Sequence, residues 1–191
     1  MWTSVGELAP PDRQWEGQSA CRTMQMHAQL FGRTLVGDRA WDVRRLIDFA
    51  EDHERLDADR VALTGNSGGG TVTLFAAAVD ERIDVAVPSS YFCTFADSIL
   101  AMRHCECNYV PGALALGEMA DVAGLIAPRP FLAVNGEDDP IFPIEGTRRA
   151  FERLQSIYEG AGVPRRCDLY VGSGGHRYYK DGVWPFVADH L

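Results

Sequence analysis

No apolar run in the 191-residue chain approaches the ~20 residues that a membrane-spanning helix requires. The N-terminus has no basic stretch leading into an apolar one, so no secretion signal is readable and a cytoplasmic location is the expectation. Low-complexity tracts and clusters of basic residues are absent. Asp and Glu number 27 against 18 Lys and Arg, a net charge of −9, which disfavours nucleic acid and anionic membrane as partners. The five cysteines (Cys21, Cys93, Cys105, Cys107, Cys167) are odd in number and form no tidy framework, so reduced thiols are expected rather than disulfides.

The composition that remains, 46% hydrophobic and 24% charged, is that of one globular domain over 1–191 with length enough for a substantial core. Residues 1–19 show no sustained period and read as an irregular arm. Helical spacing runs from about Ala20 to Val36 and again from Ala40 to Arg55, the second with an apolar stripe of Trp41, Val43, Leu46, Ile47 and Ala50. Short apolar runs at Val61–Gly65, Ile83–Val87, Pro130–Asn135 and Cys167–Val171 read as strands buried on both faces. Helices are predicted between them at Gly68–Val79 and Gly146–Gly160, with short ones near 94–103 and 119–126 and a closing one at Gly182–Leu191. Strands alternating with helices predict an α/β chain, a mostly parallel sheet with flanking helices.

Gly65-Asn66-Ser67-Gly68-Gly69 fits G-x-S-x-G between a predicted strand and a predicted helix. That setting matters, because a sharp strand-to-helix turn strains the serine and lifts its hydroxyl to the sheet edge. The Gly68 N–H then opens a helix and can donate to a developing oxyanion. The alternative is a serine that only caps the helix. A phosphate loop is disfavoured, since neither the P-loop lysine nor G-x-G-x-x-G spacing is present.

A serine nucleophile needs a base, and the base an orienting acid. His176 follows the fourth strand in Gly174-Gly175-His176, whereas His27 and His53 lie in helical segments and His190 near the end. Three carboxylates, Glu137, Asp138 and Asp139, follow the third strand. Asp139 is selected because G-x-x-D with a proline four residues on matches Gly136, Asp139 and Pro143, and Asp138 is the runner-up. Both loops leave strand C-termini, the edge where parallel sheets bind ligands.

From Gly32 onward the chain resembles the α/β-hydrolases of the acetyl xylan esterase and dienelactone hydrolase-like group. The resemblance rests on Gly32-Arg33-Thr34-Leu35, Asp59-Arg60-Val61, Gly65 to Gly70, Asp80-Glu81-Arg82-Ile83, Pro128-Arg129-Pro130, Gly136 to Pro143 and Gly174-Gly175-His176. It implies hydrolysis of a small carboxylic ester through an acyl-serine, with no metal and no organic cofactor. A peptidase of the prolyl oligopeptidase type and a non-catalytic hydrolase-fold module are the alternative readings.

In family terms the fold is truncated. About 60 residues precede the serine strand, with no HGGG-type segment to supply a second oxyanion N–H. That donor is expected from the N-terminal arm or a neighbouring subunit. The Val61–Thr64 strand is expected at a sheet edge, covered by homo-oligomerisation or by Trp2, Val5, Leu8 and Trp15 folding back. His104-Cys105-Glu106-Cys107 offers soft ligands, but a structural zinc site usually wants four from two separated pairs, and Cys93 contributes only if the fold returns it, so no metal is expected. Asn66, Tyr91, Phe92 and Phe142, with Phe95 and Tyr109, are candidate pocket residues.

Overall fold

Four short runs rich in Val, Ala, Leu and Phe form β1 (Ala62–Asn66), β2 (Val85–Ser89), β3 (Phe131–Gly136) and β4 (Cys167–Gly172). In the computed structural model, which describes residues 20–191, they make one parallel sheet in the order β1-β2-β3-β4. The arm assigned to 1–19 and its four apolar side chains lie outside the described residues. The strands pair from Ala62 with Val85 through to Gly136 with Gly172. β2 starts later than the predicted Ile83–Val87 run and continues through Pro88 to Ser89. Its pairing with β3 is confined to Ala86–Phe131 and Ser89–Val134, and Pro88 between them has no N–H to donate.

The helices are α1 (Ala20–Leu30), α2 (Leu35–Glu51), α3 (Gly68–Val79), α4 (Ala113–Leu116), α5 (Met119–Gly124), α6 (Ile144–Gly160) and α7 (Lys180–His190). The first two meet earlier than their spacing predicts. Gly32 adopts φ 66° and Thr34 caps α2, its hydroxyl accepting from Gly37 N at 3.1 Å. The helix expected over 94–103 is a run of turns. Thr94 and Asp97 hydrogen-bond to each other and Asp97 pairs with Arg149 at 2.6 Å, so short polar side chains compete for the local backbone.

Side chains alternate across the sheet. Ala86, Phe131 and Ala133 join Leu74, Ala77, Ile47, Ala123, Leu154 and Tyr158 from α2, α3, α5 and α6 in one core layer. Val85, Val87, Leu132 and Val134 face the other way and pack on Tyr179, Val183 and Val187 of α7 and its lead-in. The C-terminus of α3 is closed by a guanidinium. Arg129 donates to the carbonyls of Ala77, Asp80 and Ile83 at 2.7, 2.9 and 2.6 Å, matching positive charge to the negative end of the helix. This fixes α3, and with it the turn at its other end. Among the described residues β1 is the end strand of the sheet.

Candidate active site

The turn from β1 into α3 is held in a conformation few residues adopt. Ser67 has φ 54° and ψ −115°, a region that costs on the order of 1–3 kcal/mol for a residue with a side chain. The surroundings over-determine it. Ser67 N donates to Ser89 O at 2.8 Å, and Ser67 O accepts from Thr71 N at 2.9 Å. Gly65 is required by the tightness of the turn: a Cβ there would sit 2.6 Å from the backbone of Gly69. Although Ser67 precedes the helix, its side chain makes no capping hydrogen bond, which removes the reading of the serine as a mere cap. Gly68 is the first residue of α3, so its N–H is among the donors that a helix N-terminus leaves without an intrahelical acceptor.

At the neighbouring strand ends, two loops are laced together. Glu137 N donates to Gly172 O and Asp138 N to Gly174 O, both at 2.9 Å. A Cβ on Gly136 would meet the carbonyl oxygens of Gly175 and Gly174. The lacing turns Asp139 inward, where its side chain is fully buried, while Glu137 and Asp138 are exposed. Asp139 Oδ2 lies 2.8 Å from His176 Nδ1. Its Oδ1 accepts from Ile141 N and Phe142 N at 2.9 and 3.1 Å. Three hydrogen bonds thus aim the carboxylate, and opposite an ionised Asp139 the Nδ1 is set as donor, which leaves Nε2 as the acceptor nitrogen. The imidazole is also held from both sides along the chain: Tyr179 Oη donates to Gly175 O at 2.7 Å and Ser90 Oγ to Arg177 O at 3.0 Å.

Ser67 and Gly68 line a cleft of about 310 Å³ with Arg39, Thr71, Met102, His104, Cys105, Asn108 and Phe142 among its walls. The ring of Phe142 stacks on His176 at 5.9 Å and meets His104 edge-on at 5.4 Å. Phe142 therefore bridges the serine cleft and the imidazole. Among the described residues, no hydrogen bond joins Ser67 Oγ to His176, and such bonds commonly tighten only when substrate is bound. Burial holds His104 below its ordinary pKa, and its Nε2 lies 3.1 Å from Ser98 Oγ.

Two pocket expectations change. Phe92 is wholly buried, its ring edge-on to Phe131 at 5.4 Å, and Tyr91 packs in the same core layer against Phe142. Neither lines the cleft, because the residues after β2 turn back under α3. Asn66 is half-buried and accepts from Ser89 Oγ at 3.2 Å. Phe95 and Tyr109 line a separate hollow near Leu114. The sequence reading missed Arg39, which reaches the cleft from the inner side of α2. A cationic residue off the apolar stripe of a charged helix carries no local signal.

The loop thiols also differ from expectation. Cys93 stays in the main core, where burial pushes its pKa up to about 11. Cys21 of α1 joins Cys105 and Cys107 instead. The hydrogen bond from Cys107 holds the Cys105 thiol far below its ordinary range, and the same bond pushes Cys107 up.

A family model described as fungal glucuronyl esterase matches residues 16–91. The Bacillus subtilis (strain 168) protein YtaP, described by its name as a hydrolase, is 28% identical over 153 residues, 77% of this chain and 50% of its own length. The chain thus spans about half of that curated relative. A carbohydrate esterase family 15 glucuronoyl esterase from Caldicellulosiruptor kristjansonii superposes with a TM-score of 0.73 at 20% identity, over 96% of this chain and 57% of that one. A glucuronoyl esterase catalytic domain from Hypocrea jecorina gives 0.66 at 18%, over 83% and 52%. A Bacteroides fragilis protein named as an acetyl xylan esterase gives 0.70 at 16%, over 96% and 46%. The parallel sheet, its helical layers and these superpositions together give the chain the fold of the α/β-hydrolases.

Proposed function

We propose that the chain is a serine carboxylesterase acting on small carboxylic esters, with esters of carbohydrates as the substrate class. The observation that carries the reading is the buried Asp139 on His176 Nδ1 at 2.8 Å, at the same C-terminal edge of the sheet as a strained Ser67 whose hydroxyl caps nothing. In the reaction, Ser67 Oγ attacks the ester carbonyl and His176 Nε2 takes its proton. Asp139 holds the tautomer and stabilises the imidazolium. The Gly68 N–H donates to the oxyanion. The proton passes to the departing alcohol, and water then cleaves the acyl-serine under the same base. The names of the structural relatives, glucuronoyl and acetyl xylan esterases, favour a sugar ester. Hydrolysis of p-nitrophenyl acetate and of methyl glucuronate by the wild type and by Ser67→Ala tests this. The expected loss is on the order of 10⁶-fold in turnover on removing the nucleophile of such a site; equal rates for the two proteins on both esters end the proposal.

We propose in addition that a second copy of the chain covers β1. This end strand is only half-buried, and Trp41, Leu46 and Phe49 of α2 stand exposed. An uncovered strand edge is a template for pairing.

A further inference from the structure

Three of the five thiols converge from two distant parts of the chain, a feature that ester hydrolysis does not use. Cys21 lies in the first turn of α1, Cys105 immediately precedes the short 3₁₀ turn Glu106–Asn108, and Cys107 is its middle residue. All three Sγ atoms lie within 4.8 Å of one another, and those of Cys105 and Cys107 are 3.3 Å apart. Thiolates on a tetrahedral Zn²⁺, at about 2.3 Å from the metal, stand about 3.8 Å from each other. The 3.3 Å pair lies a little inside that value, and the third sulfur, within 4.8 Å of both, needs only small side-chain rotations to meet it. They are too long for a disulfide, whose sulfurs are about 2.05 Å apart.

The cluster is held by its surroundings. Gln25 is buried and ties α1 in place, accepting from Leu35 N at 2.8 Å and donating to Tyr109 O at 3.4 Å. Asn108 donates to Cys105 O at 3.1 Å and accepts from Thr71 of α3 at 3.2 Å. Among the described residues, Leu35 and Met24 are the apolar side chains that accompany Cys21 and Cys107. Charge is matched as well. Three thiolates on a divalent cation leave one net negative charge, and Arg39 Nη1 lies 3.6 Å from Cys107 Sγ.

We propose that Cys21, Cys105 and Cys107 form a binding site for a thiophilic d¹⁰ cation, Zn²⁺ being the probe. Binding forms three Zn–S bonds, displaces up to three thiol protons to solvent and involves no change of oxidation state. The fourth position is left to water on the cleft side, since Cys105 and Cys107 also line the wall of the Ser67 cleft. The cation ties α1 to a loop 84 residues further along the chain, counted from Cys21 to Cys105, and so braces that wall. Sequence spacing showed only the C-x-C pair, because the third thiol comes from a helix whose apolar stripe hides it.

The test uses the full chain, reduced and stripped with a chelator. Zn²⁺ is titrated against a chromophoric competitor, and Co²⁺ is followed by its sulfur-to-metal charge-transfer band. One ion per chain is expected, with Cys105, the exposed thiol of the cluster, protected from maleimide by the ion. Cys105→Ser and Cys21→Ser should each weaken binding by more than the roughly 10–100-fold that loss of even an outer-shell partner costs. Cys93→Ser, outside the cluster, should bind as the wild type. Circular dichroism checks that each variant folds, and Cys105, being exposed, is the substitution least able to disturb the core. Substoichiometric Zn²⁺, maleimide labelling unchanged by the ion, or equal affinity in Cys105→Ser would overturn the proposal. So would oxidation of the cluster to a disulfide by hydrogen peroxide that Zn²⁺ fails to prevent.

Discussion

Asp139 and Asp138 are adjacent carboxylates of one acidic turn, and the fold separates them completely. Asp139 points inward to His176 and two backbone N–H groups, while Asp138 is exposed. Asp139→Asn is therefore expected to lower turnover by about 10⁴-fold, as when the imidazole is left in the wrong tautomer. Asp138→Asn should change it little. Steady-state kinetics on one ester decide between them, and the reverse ranking would move the acid. The glycines around Ser67 divide in the same way. A Cβ on Gly65 meets the Gly69 backbone at 2.6 Å, whereas one on Gly69 meets nothing within 4 Å. Gly65→Ala should lower the urea midpoint sharply and Gly69→Ala should leave it near the wild type; equal midpoints would refute the close approach. These residues were legible because the serine, the acid and the histidine each sit in a turn whose spacing is local. Tyr91 and Phe92 were misassigned because aromatic residues look alike in sequence whether they line a cleft or fill a core.

The elements were legible where period and punctuation agreed. α3 begins at Gly68 and ends at Val79, the bounds its composition predicts. The boundary between α1 and α2 was hidden because the apolar spacing runs on through Gly32 and Thr34, and backbone geometry rather than hydrophobicity ends the helix there. The 94–103 segment failed for a related reason, its polar side chains satisfying one another instead of leaving the backbone to a helix. At the far end of α3, the Arg82 guanidinium beside Asp80 lowers that carboxyl from its ordinary 3.8 to about 2, with Arg44 assisting at 3.3 Å. A folded-state pKa below the unfolded one stabilises the protein in full above about pH 4. That contribution is lost as pH falls through 2. Melting temperatures taken from pH 5 to pH 2 should fall less steeply in Asp80→Asn than in the wild type. Identical slopes would show that this ion pair adds nothing to acid stability.

At the scale of the whole molecule, β1 stands at the end of the sheet among the described residues. The thiol cluster was not legible, because it depends on how α1 crosses the 105–107 loop, a tertiary fact with no sequence period. If a second copy covers β1, sedimentation velocity should give a dimer or larger species at micromolar concentration, and a monomer across the accessible range would contradict it. The proposed esterase activity requires that a single hydroxyl be activated by a histidine that a buried aspartate orients. Incubation with a fluorophosphonate probe, followed by peptide mapping, measures this without knowledge of the natural ester. The account predicts one label, on Ser67, lost in Ser67→Ala and strongly slowed in Asp139→Asn. A probe that leaves Ser67 unmodified in the folded protein, or reacts equally fast after His176→Ala, would contradict it.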